Sequence, residues 1–296
     1  HSIKEGVDNP VTTHTFIYNE SSLLPDPVST LTDHFGYFNY NSTYDVIQGL
    51  SRGTGFTDDA AAIVPGVCAQ GRLKDPNART LACILNEVQL ASGGRTVFAY
   101  DYAAGARVTS ISNYSGTDLV ARSTFTYGNA EVYLTPVYHY FNIENSNSLI
   151  RSSNAYNSVF DLNGVNLGYG TVNETFLDGS KFSRTFYNFS DFPDEAPTVG
   201  RYQGSAAVGF TFLGSSNVNS SPFTPYSSKA WMRGLPKAVS IIDASNNTLQ
   251  RQEFFYFTGN TVSTVWNMAV ELYNNQVGGA FKFYVGDYQL RSQHVY

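Results

Sequence analysis

The stretch ASGGRTVFAYDYAAGARVTSI, residues 91–111, decides between two kinds of protein. It holds two adjacent glycines, a strand-like run, a Tyr100-Asp101 pair, a third glycine and a second strand-like run. Glycines that cradle a phosphate sit between a strand and the start of a helix, where unpaired N–H groups face the ligand. Here strand follows strand. Gly93 and Gly94 are therefore read as hairpin-turn residues, because glycine takes positive φ without steric cost. The phosphate loop fails, and a chain of β-hairpins takes its place.

The rest of the chain agrees with that reading. Of 296 residues, 21 are Tyr, 21 are Phe and only 2 are Met, while charged residues make up 14%. Aromatic and β-branched residues favour strands, and the abundant Gly, Asn and Ser favour the turns between them. Helix signals are limited to TDDAAAIV (57–64) and DPNARTLA (75–82), both too short to carry crossovers of a parallel sheet. The expected fold class is all-β, an array of antiparallel hairpins with few short helices.

Hairpin signals recur along the sequence. TVNETFLDGSKFSRTFYNF (171–189) places two strand-like runs around Asp178-Gly179, a pair suited to a type I′ turn. Residues 107–127 turn at Ser115-Gly116, residues 237–257 at Asn246-Asn247, and residues 278–296 near Gly286-Asp287. The segments 107–127 and 237–257 overlay without a gap, so that Ser110 falls on Ser240, Ile111 on Ile241, Leu119 on Leu249 and Phe125 on Phe255. Such self-similarity marks repeat architectures, whose units bury their apolar faces only against neighbours.

The net charge of −6 and the absence of any Lys/Arg run exclude nucleic acid as a partner, since its binding rests on neutralising phosphates. No stretch of about 18 apolar residues offers a transmembrane helix. An outer-membrane barrel needs apolar outward faces. Arg251, Gln252 and Glu253 in succession place polar groups on both faces of one strand. Cys68 and Cys83 flank AQGRLKDPNARTLA. Joined, they would close a loop worth roughly 3 kcal/mol in the chain-entropy description; the alternative is two separate buried thiols.

The order of several blocks resembles RHS, or YD-repeat, proteins, and most closely the RHS-like surface proteins common in Bacteroidota. YDYAAGARVTSI (100–111) resembles the Tyr-Asp repeat unit, with Ala91-Ser92-Gly93-Gly94 where the family has Pro-Thr-Gly-Gly. LLPDPVSTLTDHFGYFN (23–39), GRLKDPN (71–77), ILNEVQLASGGRTVFAYD (84–101) and WMRGLPKAVSIID (231–243) match further blocks in order. The resemblance implies an extracellular or cell-surface scaffold, one module over residues 1–296 cut from a longer polypeptide, with other protein segments or surface proteins as partners. It supplies no catalytic residue and no cofactor.

Few groups of residues in the chain suggest chemistry. GLSRG (49–53) has the spacing of a nucleophile elbow, with Ser51 as nucleophile and His139 or His294 as base, but TGF after it does not begin a helix. Asp58-Asp59 and the group Asp191, Asp194, Glu195 read as solvated loop acids. His1, His14, His34, His139 and His294 are scattered without zinc spacing, so no metal site is expected. Tyr37-Phe38-Tyr40 and Tyr133-Tyr138-Tyr140 suit stacking on sugar rings, which gives the alternative function, a carbohydrate-binding surface module using exposed Tyr and Phe.

Overall fold

The computed structural model describes residues 2–5, 12–19, 33, 36–38, 79–102, 105–134, 139–141, 149–151, 158–205, 209–214, 225–258, 263–270, 277–285 and 288–296. These are nearly all antiparallel β-structure, as composition and turn spacing led us to expect. β1 (Ser2–Glu5), β2 (Thr12–Tyr18), β3 (Leu85–Gln89), β4 (Gly94–Tyr102), β5 (Ala106–Ser115) and β6 (Asp118–Val132) follow one another as a meander. A small hairpin, β7 (His139–Phe141) and β8 (Leu149–Arg151), precedes β9 (Leu167–Phe176) and β10 (Lys181–Phe186), which rejoin it. The chain leaves again as β11 (Thr198–Ser205) and β12 (Gly209–Gly214), returns as β13 (Pro236–Ile242) and β14 (Thr248–Thr258), leaves as β15 (Ser263–Val270) and β16 (Val277–Val285), and ends in β17 (Tyr288–Val295).

The result is an 11-stranded sheet, β1-β2-β3-β4-β5-β6-β9-β10-β13-β14-β17, in strict chain order apart from the excursions. The excursions β11–β12 and β15–β16 meet edge to edge in a four-stranded sheet, β12-β11-β16-β15, with Thr198 opposite Ala280. Among the described residues β1 and β17 each have a single neighbour and do not pair with one another, so the large sheet is open there. No helix among the described residues is long and apolar enough to cross a membrane. A short 3-10 helix, Arg79–Leu81, lies at the end of the 75–82 helix signal, while 57–64 lies outside the described residues.

One turn geometry is used repeatedly. At 90–94 Gly93 N–H donates to Leu90 C=O and Leu90 N–H to Gly94 C=O; the same pair of bonds closes 33–37, 161–165, 176–180 and 243–247. The fourth residue is left-handed each time: Gly36, Gly93, Gly164 and Gly179 with φ between 76° and 86°, and Asn246 at 65°. This is a type I turn followed by a left-handed residue, the three-residue hairpin loop, and glycine or asparagine fits it because no Cβ, or only a short polar side chain, meets the carbonyl. The type I′ turn expected at Asp178-Gly179 is replaced by this one, since Asp178 is not left-handed. Asp33, Asp161 and Asp243 open their turns and accept backbone N–H bonds on Oδ1 from Tyr37, from Asn163 and Val165, and from Asn247. Asx-type closure of this kind stabilises the loop locally.

Two expectations change. No hairpin forms across 278–296: β16 pairs with β15 and β11, β17 pairs with β14, and Gly286-Asp287 lie outside the described residues. The gapless overlay of 107–127 on 237–257 is not matched by the pairing. Ser110 faces Thr124, whereas Ser240 faces Arg251, the residue the overlay sets on Ala121. The left-handed Gly116 and Asn246 do coincide, but Gly116 sits in a two-residue turn and Asn246 in the longer one. Turn length moves the second strand and changes which of its side chains share a face.

Register also gives the sheet two unlike faces, because residues directly opposite across a ladder point the same way. One face carries Thr126, Asn173, Ser183, Ser240 and Arg251 in a row across β6, β9, β10, β13 and β14. The other carries Phe98, Ile111, Ser123 and Phe176, and beside them Phe125, Glu174, Phe182 and Ile241. On β6 the polar-face Thr124 and Thr126 are exposed, and Ser123, Phe125 and Tyr127 are half-buried. The aromatic face is only half-covered. Buried hydrophobic residues among those described are Val159, Phe189, Ala230, Ala238 and Phe281, and no large side chain is fully buried.

Candidate functional site

The Tyr-Asp motif resolves into a cross-strand clamp. Asp101 on β4 faces Arg107 on β5, and the two join through Nε–Oδ1 at 2.5 Å and Nη2–Oδ2 at 2.8 Å. The guanidinium lies 4.9 Å and 5.4 Å from the Tyr127 and Tyr169 ring centres, and Nη1 donates to the Tyr169 hydroxyl at 3.0 Å. The Asp101 bond holds Arg107 protonated beyond even its ordinary range. Tyr100 donates to Leu85 C=O at 2.8 Å, tying β4 to β3. Gly105 has φ 152°, and a Cβ there would lie 3.0 Å from the Tyr37 hydroxyl. Every part of the motif is thus spent on joining neighbouring strands.

A second polar centre lies where the β6–β9, β10 and β13 segments converge. The 3-10 turn Ala230–Met232 is followed by Arg233 and by the left-handed Gly234 (φ 77°), which redirects the chain into β13. Arg233 Nη1 donates to Asp194 at 2.7 Å and to Phe192 C=O at 2.9 Å, and Nη2 to Asp161 at 3.1 Å. All three side chains are buried: 5% of Arg233 and 2% of each Asp remain exposed. Phe189 and Tyr133 flank the guanidinium at 4.8 and 5.6 Å, and the Tyr133 hydroxyl donates to Asp194 at 2.7 Å. Burial first, and the Asp194 bond second, raise the Tyr133 phenol well above its usual range. Concavities of about 540 and 300 Å³ lie on either side of Arg233 and Phe189. Asp194 accepts from Arg233 and the Lys229 N–H on Oδ1 and from Tyr133 on Oδ2, so most of its acceptor capacity goes to holding this junction.

The acids of 191–195 are therefore anchors, where the sequence reading had them solvated. Asp191 takes Lys237 Nζ at 2.5 Å and the Asn188 N–H at 2.8 Å. Glu195 bridges to Lys229 at 3.1 Å and to Lys282 on β16 at 3.2 Å. A hydrogen bond from Tyr284 first, and the two lysines after it, bring the Glu195 carboxyl down to about 2, and burial with the same bond pushes Tyr284 up to about 12. Glu195 and Ser227 also form an isolated bridge, and Ser227 Oγ accepts the Lys282 N–H at 2.8 Å. Through these bonds the four-stranded sheet is held to the 195 and 227 segments beside the large one.

The remaining feature is β17, which among the described residues pairs on one side only. Arg251 and Tyr296 exchange both backbone bonds, at 3.1 and 2.8 Å. Bonded and non-bonded pairs alternate along an antiparallel ladder. Opposite Gln252 and Phe254, then, Val295 and Gln293 aim their N–H and C=O away from β14, into the open edge. Most of β17 is exposed, including Leu290 at 49% and Val295 at 59%. Pro and Lys are missing from YQLRSQHV, and the one bulge, at the charged Arg291, lies before the Ser292–Val295 stretch.

No family model, no curated protein and no solved structure matches the chain. Ser51, Asp58, Asp59, His1, His34, Cys68, Tyr40 and Tyr138 lie outside the described residues. Cys83 is half-buried with φ 58° and has no disulfide partner among the described residues. No group of metal-ligating side chains occurs among the described residues. His139 and His294 stand on β7 and β17, in different sheets. Tyr37 packs edge-on against Tyr102 at 5.8 Å, and Tyr133 belongs to the Arg233 centre. Exposed rings among the described residues are Tyr18, Tyr226, Phe255, Phe257, Phe283 and Tyr296; of these Phe255, Phe257 and Tyr296, at 42%, 39% and 68%, stand together on β14 and beside it.

Proposed function

We propose that this chain is a non-enzymatic scaffold module of the extracellular space or cell surface, built of RHS-like hairpins and working through protein–protein assembly. The observation that carries the reading is the β17 edge, unpaired on its outer side among the described residues, with the Gln293 and Val295 backbone groups turned outward in the stretch beyond the Arg291 bulge. A strand of this kind accepts a further antiparallel strand by main-chain hydrogen bonds, with little demand on side chains. The meander supports it, since each strand of the large sheet pairs in chain order and the pattern extends by repetition. The clamps at Asp101–Arg107 and around Arg233 support it too, because the polar groups most suggestive of chemistry are occupied by holding strands together.

The test is sedimentation velocity over a concentration series, on the chain and on a Gln293→Pro/Val295→Pro variant. Proline at these positions removes only outward N–H groups and leaves the β14 ladder intact. The isolated chain is expected to self-associate with rising concentration and the variant to remain monomeric. A wild-type chain that stays monomeric at high concentration overturns the assembly reading.

A further inference from the structure

We propose that the polar face of β14 and β17 is a binding platform for a neutral polysaccharide, with Phe257, Phe255, His294 and Tyr296 as its stacking row. This surface is distinct from the strand edge discussed above, so the inference stands apart from the assembly reading. Register places the row. Arg251 lies opposite Tyr296, Glu253 opposite His294 and Phe255 opposite Ser292, and alternation along β14 sets Phe257 on the same side as Phe255. The Phe255 and His294 ring centres are 5.0 Å apart, and those of His294 and Tyr296 are 6.4 Å apart. From Arg251 to Phe257 the row covers roughly 20 Å at the usual strand rise, long enough for several sugar units.

The chemistry around the rings selects the ligand class. Arg251 and Glu253 neutralise one another, with Nη2–Oε1 at 2.8 Å, so the patch carries no net charge to offer an anion or a cation. The same face continues inward as Ser240, Ser183, Asn173 and Thr126, a field of hydroxyl and amide groups. The cores of protein interfaces are depleted of charged residues and Ser. Ring faces beside hydroxyl, carboxylate and guanidinium groups instead match a ligand whose C–H faces alternate with hydroxyls. The exposed aliphatic residues of β17, Leu290 and Val295, stand opposite Tyr256 and Gln252 and so belong to the other face. That leaves the rings free of an aliphatic surround from their own edge strand.

The experiment uses the whole chain on a panel of soluble neutral polysaccharides (β-glucan, xylan, mannan and starch) by affinity electrophoresis, with calorimetric titration of any that retard it. Retardation by at least one member is expected. Phe255→Ala and Tyr296→Ala should each weaken binding about three- to tenfold, as loss of one stacking contact implies. Phe255→Tyr should retain binding, and so should the Gln293→Pro/Val295→Pro edge variant, whose ring row is untouched. Unfolding curves matching wild type confirm that the alanine variants fold. No retardation by any member at high polysaccharide concentration overturns the proposal, and so does retardation that the ring substitutions leave unchanged.

Discussion

Replacing Arg233 with Met removes one charge from a centre that is almost wholly buried. The side chain is 5% exposed, and its two carboxylate partners, Asp161 and Asp194, are 2% exposed. Their bonds of 3.1 and 2.7 Å are accompanied by a bond to Phe192 C=O and by the Phe189 and Tyr133 rings. Breaking a buried pair by deleting one partner costs about 3–5 kcal/mol, because the charge left behind is desolvated and unpaired. Here two carboxylates are left behind, so Arg233→Met is expected at the upper part of that range. At roughly 2–4 °C per kcal/mol for a chain of this size, a loss of about 4–5 kcal/mol lowers the unfolding midpoint by about 8–20 °C. The companion variant Arg233→Met/Asp161→Asn/Asp194→Asn removes the stranded charges as well and should recover much of the loss, as neutral replacement of a whole buried network does. Calorimetry on the three proteins reads both effects. A single variant within about 1 kcal/mol of wild type, or a triple variant less stable than the single, refutes the placement of an ion network at this junction.

Two further outcomes follow from the turns and from the link between the sheets. Gly179→Ala forces a left-handed alanine, costing about 1–2 kcal/mol, and also sets a Cβ 3.3 Å from Ala244 Cβ, whereas Gly93→Ala meets nothing within 4 Å; chemical denaturation should rank Gly179→Ala as the more damaging, and the reverse ranking counts against the turn geometry. Glu195, held near 2 when folded against an ordinary value of 4.5, adds stability that is fully present above pH 4.5 and fades as pH falls toward 2. Melting curves of wild type and Glu195→Gln should therefore converge across that window, and a gap independent of pH means the Tyr284 and lysine bonds do not form.

The features legible in the sequence are those set by neighbouring residues. Gly93-Gly94, Asp178-Gly179 and Asn246-Asn247 each turn a hairpin where their composition says they should, because positive φ is a local demand of the backbone. The details that needed distant information were not legible. Asp194 and Arg233 are 39 positions apart, and Asp161 and Arg233 are 72 apart, so an acid that looks solvated in DFPDE is buried by a partner the sequence places nowhere near it. The pairing of β16 with β11 rather than β17 is of the same kind: two strand-like runs either side of Gly286-Asp287 satisfy every local rule for a hairpin. The ring row escaped for a related reason. Tyr37, Tyr133 and their neighbours stand close in sequence, whereas Phe255 meets His294 only after β15 and β16 have intervened.

Residue-resolved amide hydrogen exchange on the isolated chain at low concentration reads directly whether β17 is an open edge. Protection should alternate along the strand: slow exchange at His294 and Tyr296, whose N–H groups face β14, and fast exchange at Gln293 and Val295, whose N–H groups face outward. As concentration rises and the chain assembles, Gln293 and Val295 should gain protection while the others keep theirs. Uniform protection along β17 in the dilute monomer would mean the edge is already covered, and would contradict the scaffold reading at its base.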